Sequence, residues 1–362
     1  MLLIIIKELE KEMKSIRLLA LLACMLFLTA CVLSSFSEAD DATTQELEIS
    51  TENLISTTDS TGLLTETLSQ NKFGQNARWY LEVLAGEIGD RLAGSGNEIS
   101  ASDYIQSKFE TFGYTTEIQW FTAYDDYEGV SIGSSNVIAI KPGLSDQQII
   151  IGAHYDSVND DGSQGADDNA SGVAVLLETA ELVFDKETPY TIVFVAFGAE
   201  ELGLWGSAYY VDELNQSEQN KIIGMVNLDC LIAGDKAYVY GNEGPGSMRD
   251  WLLKDAQQKG LEVEGKTDED MFYEDGSPCE CSDFDAFEKE NIPYAYFEAT
   301  NWDLSPDGMV QVDPQYGVDG EIRHTEFDTI EYIDETFPGR IDTHLNTFIT
   351  LLYDLVTQYQ DF

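Results

Sequence analysis

The chain carries only three histidines, His154, His324 and His344, against 67 acidic residues. His154 closes an apolar run, QQIIIGAH (147–154), and Asp156 follows it at i+2. Residues two apart in an extended strand share a face, so Asp156 could accept from one ring nitrogen and leave the other for a metal. Glu200 and Glu201 directly follow a second apolar run, 190–197. Adjacent carboxylates beside a buried strand repel each other unless a cation or a shared proton compensates. A metal answers that: one carboxylate ligates it while the other takes a proton from water. A third run, 222–232, contains Asp229. The segment GADDNASG (165–172) sets Asp167 beside Asp168 in a Gly-bounded turn ahead of a helical pattern. Taken alone that segment also fits a helix cap and a solvated acidic loop. His344 falls inside the last helical pattern and reads as structural.

These residues need a frame. Helical periodicity covers 78–88, 101–112, 171–184, 204–214, 249–259, 283–290 and 337–359, with Ser171 available as a cap. Strand patterns cover 137–140, 147–154, 190–197, 222–232, 237–240 and 292–297. Continuous apolar strands separated by amphipathic helices predict an α/β fold: one three-layer domain, a mostly parallel twisted sheet flanked by helices. This domain would span 71–362, without a composition break or an internal repeat. Ligand sites in such sheets lie beyond the carboxyl ends of the strands, where His154, Glu200, Glu201 and Asp229 are expected.

In order along the chain, IIIGAHYDS, GADDNASG, FGAEELGLWGS, MVNLD and IRHTEFDT resemble the bacterial leucyl aminopeptidase and aminopeptidase Y family, metallopeptidase family 28 of clan MH. The likeness extends from Gly89-Asp90-Arg91 and SSNVIAI (134–140) to the final helix. It implies the zinc-peptidase fold, a peptide substrate and two zinc ions. Motif by motif, His154 and Asp229 would bind one ion with a bridging Asp168, and Glu201 and His324 the other, again with Asp168. Asp168 is preferred to Asp167 because the family's bridging residue directly precedes the position held here by Asn169. A non-proline cis peptide often follows that aspartate. Glu200 would be the general base, and Asp156 would orient His154. Mixed His and carboxylate ligation in an exported hydrolase favours zinc over manganese or cobalt.

The sequence departs from familiar members in places. Arg323 precedes His324 where some relatives carry a Tyr or an apolar residue that contacts substrate, which makes Arg323 a candidate substrate-binding residue. In CECSDFDAF (279–287) Phe284 replaces a His, and Cys279 and Cys281 are candidates for a local disulfide of the kind relatives have. Cys230 reads as a buried free thiol. No further domain is inserted between SSNVIAI and IIIGAHYDS, so an open substrate groove is expected. Calcium at Asp125-Asp126, Asp160-Asp161 or 268–270 is the lesser reading, because no loop there has a regular ligand spacing.

Residues 1–30 read as a secretory signal, with Met13 as a second start, Lys14 and Arg17 before an apolar run (18–30), and small residues before Cys31. This resembles a lipoprotein cleavage box with Cys31 lipidated, and predicts an exported bacterial protein, anchored facing outward or secreted. Residues 31–70 are rich in Ser, Thr and acids and read as a tether. The net charge of −48 excludes a nucleic-acid partner and a basic lipid-binding patch. An aminopeptidase is the first functional reading and a carboxypeptidase or dipeptidase of the same family the second. A non-catalytic binding lipoprotein is disfavoured because every ligand position and Glu200 are present. A glutaminyl-cyclase-like activity stands behind these.

Overall fold

The computed structural model describes residues 73–158, 162–267, 281–305 and 308–360. The expected signal segment, Cys31 and the tether lie outside the described residues, as do Cys279, Asp160-Asp161 and 268–270. In chain order the elements are α1 (Gln75–Leu81), which continues as a π-helical turn (Glu82–Ile88), and α2 (Gly96–Phe112). Then come β1 (Thr116–Asp125), β2 (Val130–Lys141), β3 (Ser145–His154), α3 (Ser171–Val183), β4 (Tyr190–Phe197), α4 (Trp205–Asp212), α5 (Gln216–Gln219) and β5 (Ile222–Leu228). The remainder are β6 (Lys236–Gly241), α6 (Met248–Lys259), β7 (Val263–Gly265), α7 (Phe284–Lys289), β8 (Tyr294–Thr300), α8 (Ile330–Thr336) and α9 (Arg340–Gln358).

The strands form one sheet in the order β1-β2-β4-β3-β5-β8-β6-β7. Its centre, β4-β3-β5-β8, is parallel throughout. Antiparallel pairings join β2 to β4, β1 to β2 and β6 to β8, so the expected three-layer α/β sheet is mixed at its flanks. The alternation of side chains explains the three layers. On β3, Ile149 and Ile151 belong to one core cluster and Ile150 to the other. On β4, Ile192, Phe194 and Ala196 face the first cluster while Val193, Val195 and Phe197 face the second. Burying each such Ile or Phe contributes about 1.5–3 kcal/mol, so the central strands anchor both faces. The first layer includes α2, α3 and α9 through Phe109, Leu176 and Leu352, and the second α4 and α7 through Tyr210 and Phe287.

Several boundaries differ from the sequence reading. The 222–232 run stops pairing at Leu228, and the chain turns just beyond it at Cys230, which has φ +55°. The expected 337–359 helix is α9, which begins three residues later, after Phe337-Pro338-Gly339, where Gly339 takes φ +83°; the short α8 ahead of it was not anticipated. Ser171 does not cap α3: its hydroxyl donates to the Asp167 carbonyl at 2.7 Å and accepts from Leu231 N at 2.9 Å. Asn169 does the capping instead, its Oδ1 accepting from Gly172 N at 2.8 Å. Gly172 is required there, because a Cβ would lie 2.4 Å from Leu228 O. The β1–β2 hairpin was not anticipated beyond 137–140. Its outer strand exposes Trp120 and Tyr124, so it lacks the continuous apolar run that marks the central strands.

His344 lies inside α9, buried and edge-on to Phe348. Burial, reinforced by the Arg340 charge, pushes its pKa down from 6.5 to about 4. The folded protein therefore refuses a proton that the unfolded chain accepts below pH 6.5. The stability held above that pH is lost as pH falls toward 4, by about 3 kcal/mol at most. His344→Leu should flatten this dependence. Urea unfolding of both proteins between pH 7 and pH 4 checks it: the wild type should lose about 3 kcal/mol more than the variant over that range.

Candidate metal centre

Four of the central connections deliver the polar residues to one place. His154 is the last residue of β3, Glu200 and Glu201 follow β4, and Asp229 follows β5. Asp168 sits in the turn leading into α3, where the Asp168–Asn169 peptide is cis. His324 arrives from the long segment between β8 and α8 with φ +58°. Asp168 stands in the middle. Its Oδ1 is 3.1 Å from His154 Nε2 and its Oδ2 3.0 Å from His324 Nε2. Each imidazole faces a second carboxylate: His154 Nε2 is 3.3 Å from Asp229 Oδ1, and His324 Nε2 is 3.2 Å from Glu201 Oε2. Donor atoms of His154, Asp168 and Glu201 lie within 4.8 Å of one another, as do those of His154, Glu200 and Asp229.

The surrounding groups hold these ligands in place. Asp229 Oδ2 accepts from Ser282 Oγ at 2.6 Å, and Ser282 Oγ accepts in turn from Asn227 Nδ2 at 2.7 Å. The buried Asp156 carboxylate accepts from Glu200 N at 3.0 Å and Glu201 N at 3.1 Å, fixing the turn after β4. Its Oδ1 lies 3.6 Å from His154 Nδ1, while its own backbone oxygen is nearer, at 3.2 Å. Asp156 thus couples the end of β3 to the Glu200-Glu201 turn as well as facing His154.

The two adjacent aspartates have different surroundings. Asp167 is fully buried, and its Oδ1 accepts from Ile232 N and Ala233 N at 2.7 and 2.9 Å. Its Oδ2 accepts from Gln311 Nε2 at 2.6 Å. Gln311 Oε1 then accepts from Ile322 N at 3.0 Å and Arg323 N at 2.9 Å, tying the approach to His324 onto the Asp167 turn. Asp328 accepts from both Asp167 N at 2.6 Å and Asp168 N at 3.2 Å. Arg91 is wholly buried and donates to the carbonyls of Tyr155, Gln164 and Gly165 at 2.7–2.9 Å, closing the same loops from behind. Gln311 escaped the sequence reading, since a lone Gln has no spacing signal, and Ser282 lay inside CECSDFDAF without a role. Asp328 and Arg91 lay inside quoted motifs but were given no role.

Electrostatically the cluster is over-supplied with acid. Burial pushes Glu201 up to about 7, reinforced by Asp168, and Glu200 is also raised by burial, well above its ordinary value. Burial likewise lifts Asp283, which lies nearby on the Ser282 turn, to about 7. Burial opposes charging His154, but the charges of Glu200 and Asp229 overcome it and hold its pKa well above 6.5. Hydrogen bonds to Asp168 and Glu201 lift His324 to about 11. Asp168 goes the other way, well below its usual range: burial works against this, but the two imidazoles prevail. Such a set favours bound positive charge. Imidazole nitrogen, once a metal displaces its proton, and carboxylate oxygen converging within these distances are donors suited to zinc, and the surplus carboxylates offset a dication's charge.

Arg323 and Cys230 flank this cluster. Cys230 is a buried free thiol, its Sγ 4.0 Å from Arg323 Nη1. Arg323 pairs with Glu298 at 2.8 Å; burial works against its charge, but Glu298 and the other acidic neighbours prevail and hold its pKa above the ordinary value. Cys281 is disulfide-bonded, while its expected partner Cys279 lies outside the described residues. Asp125 accepts from Tyr127 N and Glu128 N at 2.9 and 3.0 Å in the hairpin turn, so its carboxylate has a structural role.

Residues 136–349 match peptidase family M28. The alkaline phosphatase isozyme conversion protein of Escherichia coli is 31% identical over 317 residues, covering 80% of this chain and 92% of that protein. Aminopeptidase YwaD of Bacillus subtilis is 43% identical over a shorter stretch, 27% of this chain and 22% of that one. A zinc aminopeptidase from Bacillus subtilis, BSAP, has the same fold at 18% identity, with a TM-score of 0.63 over 80% of this chain and 96% of its own. The chain belongs to peptidase family M28, hydrolases that act on peptide bonds.

The Gln311 bridge can be tested apart from any ligand. Gln311→Ala removes one donor and leaves two backbone N–H groups and one Asp167 oxygen unpaired in a buried setting. A loss of about 2–3 kcal/mol in urea unfolding is expected. A loss below about 0.5 kcal/mol would show that water replaces the bridge.

Proposed function

We propose that the protein is an exported aminopeptidase that uses two zinc ions and Glu200 as general base. The observation that carries this reading is the placement of the two imidazoles on opposite oxygens of one carboxylate, at 3.1 and 3.0 Å, each with a second acidic partner. His154 and Asp229 would hold one ion, His324 and Glu201 the other, and Asp168 would be shared. When bound, the ions supply Lewis acidity that polarises the scissile carbonyl and makes water a stronger acid.

The chain's own groups account for the rest. Glu200 lies beside His154 and Asp229, buried, and no side-chain donor among the described residues is hydrogen-bonded to it. A carboxylate so placed, with proton affinity raised by burial, can take a proton from the attacking water and return it to the departing amine. Asp156 holds Glu200 and Glu201 in register through their backbone amides and aligns His154. The negative field of the same residues favours a substrate's free α-ammonium, which supports action at an N-terminus.

Export and lipidation at Cys31 rest on residues 1–31, which read as a signal and cleavage box. One relative, 31% identical over 58% of this chain and 43% of its own, is named a probable lipoprotein aminopeptidase, LpqL of Mycobacterium tuberculosis.

Glu200→Gln should retain metal by elemental analysis and lower kcat at least a thousandfold. Asp168→Ala should lose metal as well as activity. The aminopeptidase reading expects aminoacyl amides to be cleaved and N-blocked versions to be spared. Cleavage of blocked peptides from the C-terminus would establish the carboxypeptidase alternative.

A further inference from the structure

Arg323 directly precedes His324, and its guanidinium reaches back across the site to Cys230, the neighbour of Asp229. Both flanks of the arginine are therefore attached to proposed zinc ligands. One edge of the guanidinium is spoken for. Nη1 pairs with Glu298 Oε1 at 2.8 Å. Glu298 Oε2 accepts from the Tyr240 hydroxyl, and Trp302 Nε1 donates to the same Tyr240 oxygen at 2.7 Å. Glu298 and Tyr240 are buried, so this chain of bonds fixes the arginine from within.

The other edge is open. Nη2 has no oxygen acceptor among the described residues and meets only the Met309 thioether, at 3.2 Å. A sulfur is a weak acceptor. The arginine side chain keeps 15% of its surface, and the Nη2 contact with Met309 lies on the exposed side. A guanidinium held along one side with donors free on the other is preorganised for a planar oxygen-bearing group. Glu298 is already engaged by Arg323 and Tyr240. At this edge, apart from the acidic metal cluster, the guanidinium presents donors.

We infer that Arg323 is a specificity-determining residue that receives the side-chain oxygen of a carboxylate- or carboxamide-bearing N-terminal residue (Glu, Gln, Asp or Asn). The inference rests on the aminopeptidase reading, and it disfavours Lys and Arg at the same position.

The test measures kcat/KM of the zinc-loaded full-length protein on Glu-, Gln-, Leu- and Arg-p-nitroanilide. The wild type should prefer Glu or Gln over Leu by at least tenfold, and Arg should be poorest. The Glu-to-Gln ratio tells whether charge or only the oxygen is recognised. Arg323→Met should invert the Glu/Gln-to-Leu ratio, chiefly through KM for the polar substrates. Because it strands the buried Glu298, the pair Arg323→Met with Glu298→Gln is measured alongside and should give the same inversion. Arg323→Lys should restore part of the preference for Glu. Preference for Leu in the wild type, or a ratio unmoved in either Met variant, overturns the assignment while leaving the aminopeptidase reading intact. Failure of the wild type to cleave any of the four substrates overturns both. Cleavage confined to blocked peptides with a free C-terminus also overturns both, and assigns Arg323 to a terminal carboxylate instead.

Discussion

A single buried carboxylate facing two imidazoles is the constraint around which the rest is arranged. Asp168 presents one oxygen to His154 and the other to His324. Neither contact is stable alone in a site that also contains Glu200, Glu201 and Asp229, because buried like charges are costly without a compensating cation. The strained electrostatics are therefore informative. This cluster stands at the ends of the central strands, with His154, Asp168, Glu200 and Asp229 buried and only His324 half exposed.

The scaffold handles its other buried acids differently. Asp156, Asp167 and Asp328 each accept from two backbone N–H groups, which offset part of the cost of burying them, although burial still leaves Asp167 at about 7 and Asp328 well above its ordinary value. They convert negative charge into loop geometry. Asp156 fixes the turn after β4, Asp167 the turn after β5, and Asp328 the turn carrying Asp168. Of the acids that face the imidazoles, only Glu201 accepts from a backbone N–H among the described residues, that of Val158 at 3.2 Å. Hydrogen-bond partnership thus separates the framework carboxylates from those available for chemistry, even between the neighbours Asp167 and Asp168.

The central strands were legible because they are apolar on both faces and finish at abrupt polar residues, as in IIIGAH and VFVAFGAEE. Their pairing partners were less so. The outer hairpin strand β1 alternates exposed and half-buried residues and lacks the apolar density that signals a strand, and the short helix α8 buries only Ile333, too little to mark a helical face. Within the site, His154, Glu200 and Glu201 stood out by position at predicted strand ends. Asp168 and His324 came only from motif resemblance, since a loop histidine carries no periodicity. Gln311 and Ser282 act through contacts between segments distant in sequence, 144 residues for Gln311 to Asp167 and 53 for Ser282 to Asp229, and no local pattern encodes such a contact.

The parts of the centre come together from chain segments of very different age on the ribosome. His154, Asp168, Glu201 and Asp229 are laid down within the strands of the growing sheet, but Gln311, His324 and Asp328 come near the end. Asp328 reaches back 160 residues to the amide of Asp168. A nascent or truncated chain ending before residue 311 lacks both the second imidazole and the clasp on the shared carboxylate. The centre is therefore assembled only when the last fifth of the chain closes on the sheet.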